Sequence, residues 1–305
     1  MPGEATFTGL IIQAQSGFFT VATDKDTYVC QLRGKLKQGR KQSDLAALGD
    51  HVRLQVLPDG SGIIEEVLER RRSIVRLDPR PRGAYRQVLL ANADQAIFVF
   101  ACAHPEPRLR MLDRFLVIAE KQGVPAIIVA NKMDLVSEQD AHERFAAYGP
   151  AGYLVLYTSA RTGAGVAELS ARLRAKITVL AGPSGAGKSS LLNAVHPGLG
   201  LQVKDLGAVN KGQHTTVVRR LYPLGDGSSY VADTPGWKSL ALWDTDPEEL
   251  DGYFPEIRPL VGACKFNDCS HTHEPGCAVL AAVESGQVHR ERYESYVRLR
   301  AGEVG

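Results

Sequence analysis

Gly182-Pro183-Ser184-Gly185-Ala186-Gly187-Lys188-Ser189 stands directly after the apolar run Ile177 to Ala181 and directly before Ser190-Leu191-Leu192-Asn193-Ala194-Val195. The order reads as strand, loop, helix. In a G-x-x-x-x-G-K-[ST] loop the glycines let successive backbone N–H groups curl around a polyphosphate, the lysine reaches its outer phosphates and the hydroxyl takes a place on Mg²⁺. Gly182, Ser184, Gly185, Ala186, Gly187, Lys188, Ser189 and Ser190 are therefore the expected phosphate contacts, with Ser189 on the metal. The helix start behind the loop adds unpaired donors and a partial positive charge. Kinases, transport ATPases and GTPases all use such a loop, so the nucleotide must be read elsewhere.

Upstream, from about Val88, buried strands alternate with helix-period segments, the pattern of a largely parallel sheet wrapped by helices. The strands are expected at Ala96 to Cys102, Ala126 to Ala130 and Gly152 to Tyr157, and the helices at Leu109 to Gln122, Ser137 to Tyr148 and Val166 to Ala175. Open α/β sheets bind ligands beyond the carboxyl ends of their strands. The strand ending at Ala130 is followed by Asn131-Lys132-Met133-Asp134. An aspartate there accepts from both N1–H and the 2-amino group of guanine, whereas adenine offers an acceptor at N1 and nothing at C2. Lys132 lays its stem along the base and Asn131 ties the loop together. After the next strand, Thr158-Ser159-Ala160 places the Ala160 N–H toward guanine O6, with Ser159 beside it. Downstream, Tyr230-Val231-Ala232-Asp233-Thr234-Pro235-Gly236 runs a strand into D-x-x-G, with Asp233 near Mg²⁺ and the Gly236 N–H near a γ-phosphate.

The order of these motifs is inverted. A guanine-reading N-K-x-D ordinarily follows the phosphate loop, yet Asn131 precedes Gly182. A parallel sheet tolerates the change, because the site is made by the positions of strand ends, and joining old termini while cutting elsewhere preserves them. In such a permuted domain the segment after D-x-x-G leads out at Trp237 toward the C-terminal part of the chain, which nucleotide state could then pull on.

The first 67 residues pattern differently. Leu10 to Gln13, Phe18 to Thr23, Thr27 to Arg33, Gly49 to Val56 and Ile63 to Val67 are short strands between turns, which fits a small barrel of the oligonucleotide-binding kind. Arg33-Gly34-Lys35-Leu36-Lys37-Gln38-Gly39-Arg40-Lys41 holds five basic and no acidic residues, either a nucleic-acid contact or a solvated loop. From Arg70 to Arg86 come seven arginines and two prolines, a linker too polar for a core whose charge suits a phosphate backbone or simply solvent.

Near the other end, Cys264, Cys269 and Cys277 with His271 give C-x4-C-x-H-x5-C, and His273 competes with His271. Three thiolates and one imidazole make a closed tetrahedral site for one structural Zn²⁺. Helix-like Ala278 to Glu284 and the arginine-bearing His289 to Arg300 follow.

The whole chain is 305 residues with 44% hydrophobic and 23% charged content and a net charge of +2, an ordinary globular composition in which nucleic-acid attraction must come from local clusters. No apolar run approaches the roughly 18 to 20 residues of a membrane span. The N-terminus has no signal-peptide profile, so a cytoplasmic location and reduced cysteines are expected.

Taken together, the barrel, N-K-x-D, S-A, G-P-S-G-x-G-K-S, G-x-H-T-T, D-T-P-G and the zinc segment resemble the circularly permuted bacterial GTPases that depend on the small ribosomal subunit, over nearly the whole chain. The resemblance implies a multidomain α/β protein: an OB-like barrel at 1–70, an arginine-rich linker at 71–87, a permuted P-loop GTPase domain at 88–240 and a mainly helical zinc-binding domain at 241–305. It implies GTP hydrolysis stimulated by the small subunit during its late maturation, rRNA contacts through the barrel and the C-terminal domain, and a monomer with no membrane role. It favours His271 as the fourth zinc ligand. It makes Thr216 the switch threonine on Mg²⁺, with Thr215 the alternative, because Val217 replaces a threonine the family often carries. Trp237 stands where many GTPases place a water-orienting glutamine, and an indole cannot do that work. His214, in Gly212-Gln213-His214-Thr215-Thr216, is the expected substitute unless it only braces its loop. Catalysis would thus rest on His214, Lys188 and Thr216. Two other classes compete: a P-loop ATPase or kinase, opposed by Asp134 and Ala160, and a nucleotide-gated RNA-binding scaffold with incidental turnover.

Overall fold

A computed structural model describes residues 6–37, 43–77, 86–201, 219–233 and 245–303. Two compact units emerge, one from Met1–Gln95, Leu173–Leu180 and Lys204–Gly236, the other from Ala96–Arg172, Ala181–Val203 and Trp237–Gly305.

In the first unit, strands β1 (Thr6–Gln15), β2 (Phe18–Thr23), β3 (Thr27–Leu32), β4 (His51–Val56) and β5 (Gly62–Val67) form the expected barrel. Hairpins join β1 to β2 and β2 to β3, β3 runs parallel to β5, and β4 pairs with both β5 and β1, which closes the ring. Period-two patterning sorts the side chains. Ile11, Phe19, Val21, Cys30, Val52, Leu54 and Ile64 fill the interior, while Phe18 and Val29 stay 50% and 56% exposed on the outer face.

Beyond the barrel, part of the stretch expected as a linker is a strand. β6 (Ser73–Leu77) pairs antiparallel with β7 (Arg86–Ala91). Ile74 is fully buried there, and Val75 packs against Ala47, Val88 and Ala91. The arginines mask the pattern because one of them works inward: Arg70 Nε lies 2.7 Å from Asp50 Oδ1, and the Asp50 side chain is fully buried.

The second unit carries the parallel strands β8 (Gln95–Ala101), β9 (Ala126–Asn131) and β10 (Leu154–Tyr157), registered Ala101 to Asn131 and Tyr157 to Ala130. Helix α1 (Leu109–Lys121) buries Leu112, Phe115, Leu116 and Ala119, the expected apolar face. α2 (Glu138–Arg144) starts where Ser137 accepts from Asp140 N–H, and it ends earlier than its polar pattern predicts. α3 (Val166–Leu173) leads on to β11 (Ile177–Ala181), every residue of which is buried. In the first unit β11 runs parallel to β13 (Tyr230–Asp233), with Leu180 level with Asp233. β12 (Arg219–Pro223) pairs antiparallel with β13 and meets β1 at Gln13.

α4 (Lys188–Val195) follows the phosphate loop. The C-terminal segment contributes α5 (Ala278–Glu284), α6 (Arg290–Arg300) and several 3-10 turns, around a core of Leu250, Phe254, Ile257, Val279, Val288 and Tyr296 that also takes in Val117 of α1.

Candidate nucleotide site and metal centre

The phosphate loop is shaped by what its glycines allow. At Gly182 an added Cβ would lie 2.1 Å from the Val99 carbonyl oxygen, and at Gly187, with φ of +89°, it would lie 2.4 Å from Asn131 Nδ2. Only a residue without a side chain lets the loop pass both points. Among the described residues the N–H groups of Gly185, Gly187 and Ser189 have no intramolecular acceptor. Three donors left open at a helix start are what a phosphate chain requires. Lys188 Nζ lies 3.0 Å from the Gly182 carbonyl oxygen and 2.9 Å from that of Pro183, so its charge sits inside the loop. Ala186, Lys188 and Ser189 are buried, whereas Ser184 and Gly185 face outward and Ser190 is partly covered.

Asn131 joins this loop to the segment expected to read the base. Its Nδ2 donates to the Ala186 carbonyl at 2.8 Å, and its Oδ1 accepts from Thr158 Oγ1 at 3.2 Å. The Asn131 carbonyl accepts from Cys102 N–H, and Met133 N–H reaches the Thr158 carbonyl. Lys132, with a left-handed backbone, donates to the His104 carbonyl, and Pro105 sits where a Cβ on Gly185 would touch it at 3.4 Å. Asp134 is held on both sides. Ser159 Oγ donates to Oδ1 at 2.5 Å and Arg161 Nε donates to Oδ2 at 2.8 Å. The Ser159 hydrogen bond, reinforced by Arg161, holds the Asp134 carboxyl below the usual carboxylate range, so it is ionised at neutral pH. Ala160 N–H has no acceptor among the described residues. A carboxylate acceptor and a free N–H at neighbouring strand ends match the donor and acceptor edge of guanine.

The structure thus brings Asn131, Lys132, Asp134, Ser159 and Ala160 together with the phosphate loop. His214, Thr216 and Gly236 lie outside the described residues, as does the side chain of Asp233. Sequence reasoning missed Arg161, whose only local signal is a basic residue following Ser159-Ala160.

Of the five cysteines, all free, Cys30 and Cys102 are buried in apolar surroundings that push each thiol up to about 11. The other three converge. One ligand atom from each of Cys264, Cys269, His271 and Cys277 lies within 4.8 Å of the others. Cys264 Sγ is 3.8 Å from Cys277 Sγ, and His271 Nδ1 is 3.4 Å and 3.5 Å from those two sulfurs. A tetrahedron with Zn–S of about 2.3 Å and Zn–N of about 2.0 Å has S···S edges near 3.8 Å and S···N edges near 3.5 Å, so the donor set fits zinc. Two main-chain donors face the sulfurs, Ala278 N–H toward Cys264 and Leu280 N–H toward Cys277. His271 is 2% exposed, and its other ring nitrogen, Nε2, lies 3.3 Å from Asp251 Oδ2. That carboxylate fixes the ring so that Nδ1 faces the sulfurs. His273 points elsewhere, to Thr272.

The profile of the RsgA GTPase family matches residues 67–243, and that of the RsgA N-terminal domain matches residues 8–64. Similar sequences include the small ribosomal subunit biogenesis GTPase RsgA of Gemmatimonas aurantiaca, 44% identical over 297 residues and covering 96% of each chain. The protein of the same name from Moorella thermoacetica is 40% identical over 294 residues, again covering 96% of each. Among solved structures, YjeQ from Thermotoga maritima aligns with a TM-score of 0.80 at 37% identity over 99% of both chains. YloQ, described as a circularly permuted GTPase, aligns at 0.75 and 34% identity over 98% of this chain and 95% of its own.

Proposed function

The chain belongs to the RsgA GTPase family, and on that premise we propose that it hydrolyses GTP as an assembly factor of the small ribosomal subunit, acting late in that subunit's maturation. The observation that carries the reading is the Asn131–Ala186 hydrogen bond, which ties the segment bearing Asp134 to the glycine-rich loop bearing Lys188. GTP and GDP are held by Asn131, Lys132, Asp134, Ser159 and Ala160 at the base and by Gly182 to Ser190 at the phosphates.

Ser189 and Thr216, with Asp233, would hold Mg²⁺, which would supply charge neutralisation at the phosphates. Lys188 would share that charge, the Gly236 N–H would meet the γ-phosphate, and His214 would orient the attacking water. A group supplied or set in place by the partner is worth about 10³ to 10⁵ in rate at such sites, so slow turnover alone is consistent with the assignment. Cys264, Cys269, His271 and Cys277 hold one structural Zn²⁺, a closed set that leaves no position for substrate.

RNA is met by the barrel and the C-terminal domain. The barrel's outer face exposes Phe18, whose ring is suited to base stacking, and Lys35 lies in the exposed turn beyond β3. α6 carries Arg290, Arg298 and Arg300. By the family assignment the protein would act as a cytoplasmic monomer. Among the described residues no helix is long and apolar enough to cross a membrane.

The test is phosphate release from GTP by the purified protein with small subunits, with large subunits, or alone. Turnover raised only by small subunits is expected. Equal turnover in all three would contradict the ribosomal assignment while leaving nucleotide binding intact.

A further inference from the structure

Arg161 stands on the one carboxylate that the guanine reading needs, and the two donors on that carboxylate differ in kind. Ser159, on Oδ1, is fully buried, and its own oxygen accepts from Thr162 N–H at 3.2 Å. It cannot move without unmaking the turn. Arg161, on Oδ2, has a side chain 75% exposed. With both in place the Asp134 side chain is only 10% exposed. Guanine brings two donors to this group, N1–H and the 2-amino group, and so needs room at both oxygens. We propose that Arg161 competes with the exocyclic amino group of guanine for Asp134 Oδ2, and so sets how strongly this site distinguishes guanine from a purine lacking that amino group. The inference rests on the guanine reading above.

The magnitude follows from the exposure of the pair. Exposed ion pairs are worth a fraction of a kcal/mol to about one, so the competition costs guanine roughly two- to fivefold in affinity. Hypoxanthine has the same N1–H and O6 but hydrogen at C2. It asks Asp134 for one acceptor, and Arg161 keeps the other.

The experiment is calorimetric titration of GDP and of inosine diphosphate into the full chain, wild type and Arg161→Ala, at one fixed salt concentration. The side chain is 75% exposed, so its truncation leaves the core unchanged. The expected result is GDP tightened roughly two- to fivefold with inosine diphosphate unchanged, widening the preference by the same factor. Unchanged or weakened GDP binding overturns the proposal, and so does an equal change for both nucleotides, which would place Arg161 on the base face or in the field of the phosphates. Wild-type protein that binds ADP as tightly as GDP overturns the guanine reading itself, a failure visible before any variant is made.

Discussion

Asn131 Nδ2 lies 2.8 Å from the carbonyl oxygen of Ala186, 55 positions further along the chain. This one side chain ties the loop bearing Asp134 to the loop bearing Lys188. Both partners are buried, and truncating one partner of a buried hydrogen bond costs about 1–3 kcal/mol. Asn131→Ala should therefore weaken GDP binding by about tenfold to a hundredfold. Calorimetric titration checks this, with the melting temperature as a control for global unfolding.

A second expectation concerns acid. On the proposed reading Asp134 must be ionised to accept from guanine, and Ser159 first, then Arg161, hold its carboxyl below the ordinary range. A depressed folded-state value means that the group's contribution to stability is complete above its unfolded pKa, about 3.9, and is lost only as pH falls through the lower folded value. Carbon-13 titration of the Asp134 side chain should place its midpoint below that of a free aspartate in the wild type. In Ser159→Ala the midpoint should move upward.

Legibility from sequence tracked how local the signal was. Strand β11 and its loop are visible because an all-buried apolar run meets a fixed-spacing motif. The four proposed zinc donors are visible because they lie within fourteen positions. Strand β6 was hidden by the arginines around Ile74, and β12 by having Leu221 as its one fully buried apolar residue. The contacts of Arg292 have no sequence signal, since Asp113 lies 179 positions away. Arg161 was overlooked because its role depends on a neighbour that only folding supplies.

The proposed zinc site of Cys264, Cys269, His271 and Cys277 gives a third prediction. Asp251 lies twenty positions before His271 and orients its ring from outside the donor set. Such outer partners are worth about 10- to 100-fold in metal affinity. Asp251→Asn should lose zinc to a chromophoric chelator at about that much lower chelator strength. Cys277→Ser should purify without stoichiometric zinc, with the C-terminal core around Tyr296 unfolded, as near-ultraviolet circular dichroism would report.

The fourth prediction concerns Arg292, which is 1% exposed. Burial alone would push its guanidinium toward neutrality, but Asp113 at 2.6 Å and Glu256 at 2.7 Å outweigh that and hold it charged. Phe254 covers one face, 4.7 Å from ring centroid to guanidinium carbon, and Ser295 and Tyr148 also donate to Asp113. Removing one partner of a buried ion cluster costs about 3–5 kcal/mol, because the remaining charges are left without compensation. Arg292→Ala should lose that much in a denaturant melt. Replacing Arg292, Asp113 and Glu256 together by apolar residues should recover most of it.

The most direct test of the guanine assignment is a swap of bases at Asp134. Asparagine there can accept from N1–H, but its amide N–H₂ faces the 2-amino group of guanine, donor against donor. Xanthine carries a carbonyl at that position and can accept from the same amide. Titrated with GDP and xanthosine diphosphate, Asp134→Asn should lose GDP by at least about tenfold and gain xanthosine diphosphate. Unchanged GDP binding, with no gain for xanthosine diphosphate, would contradict the account.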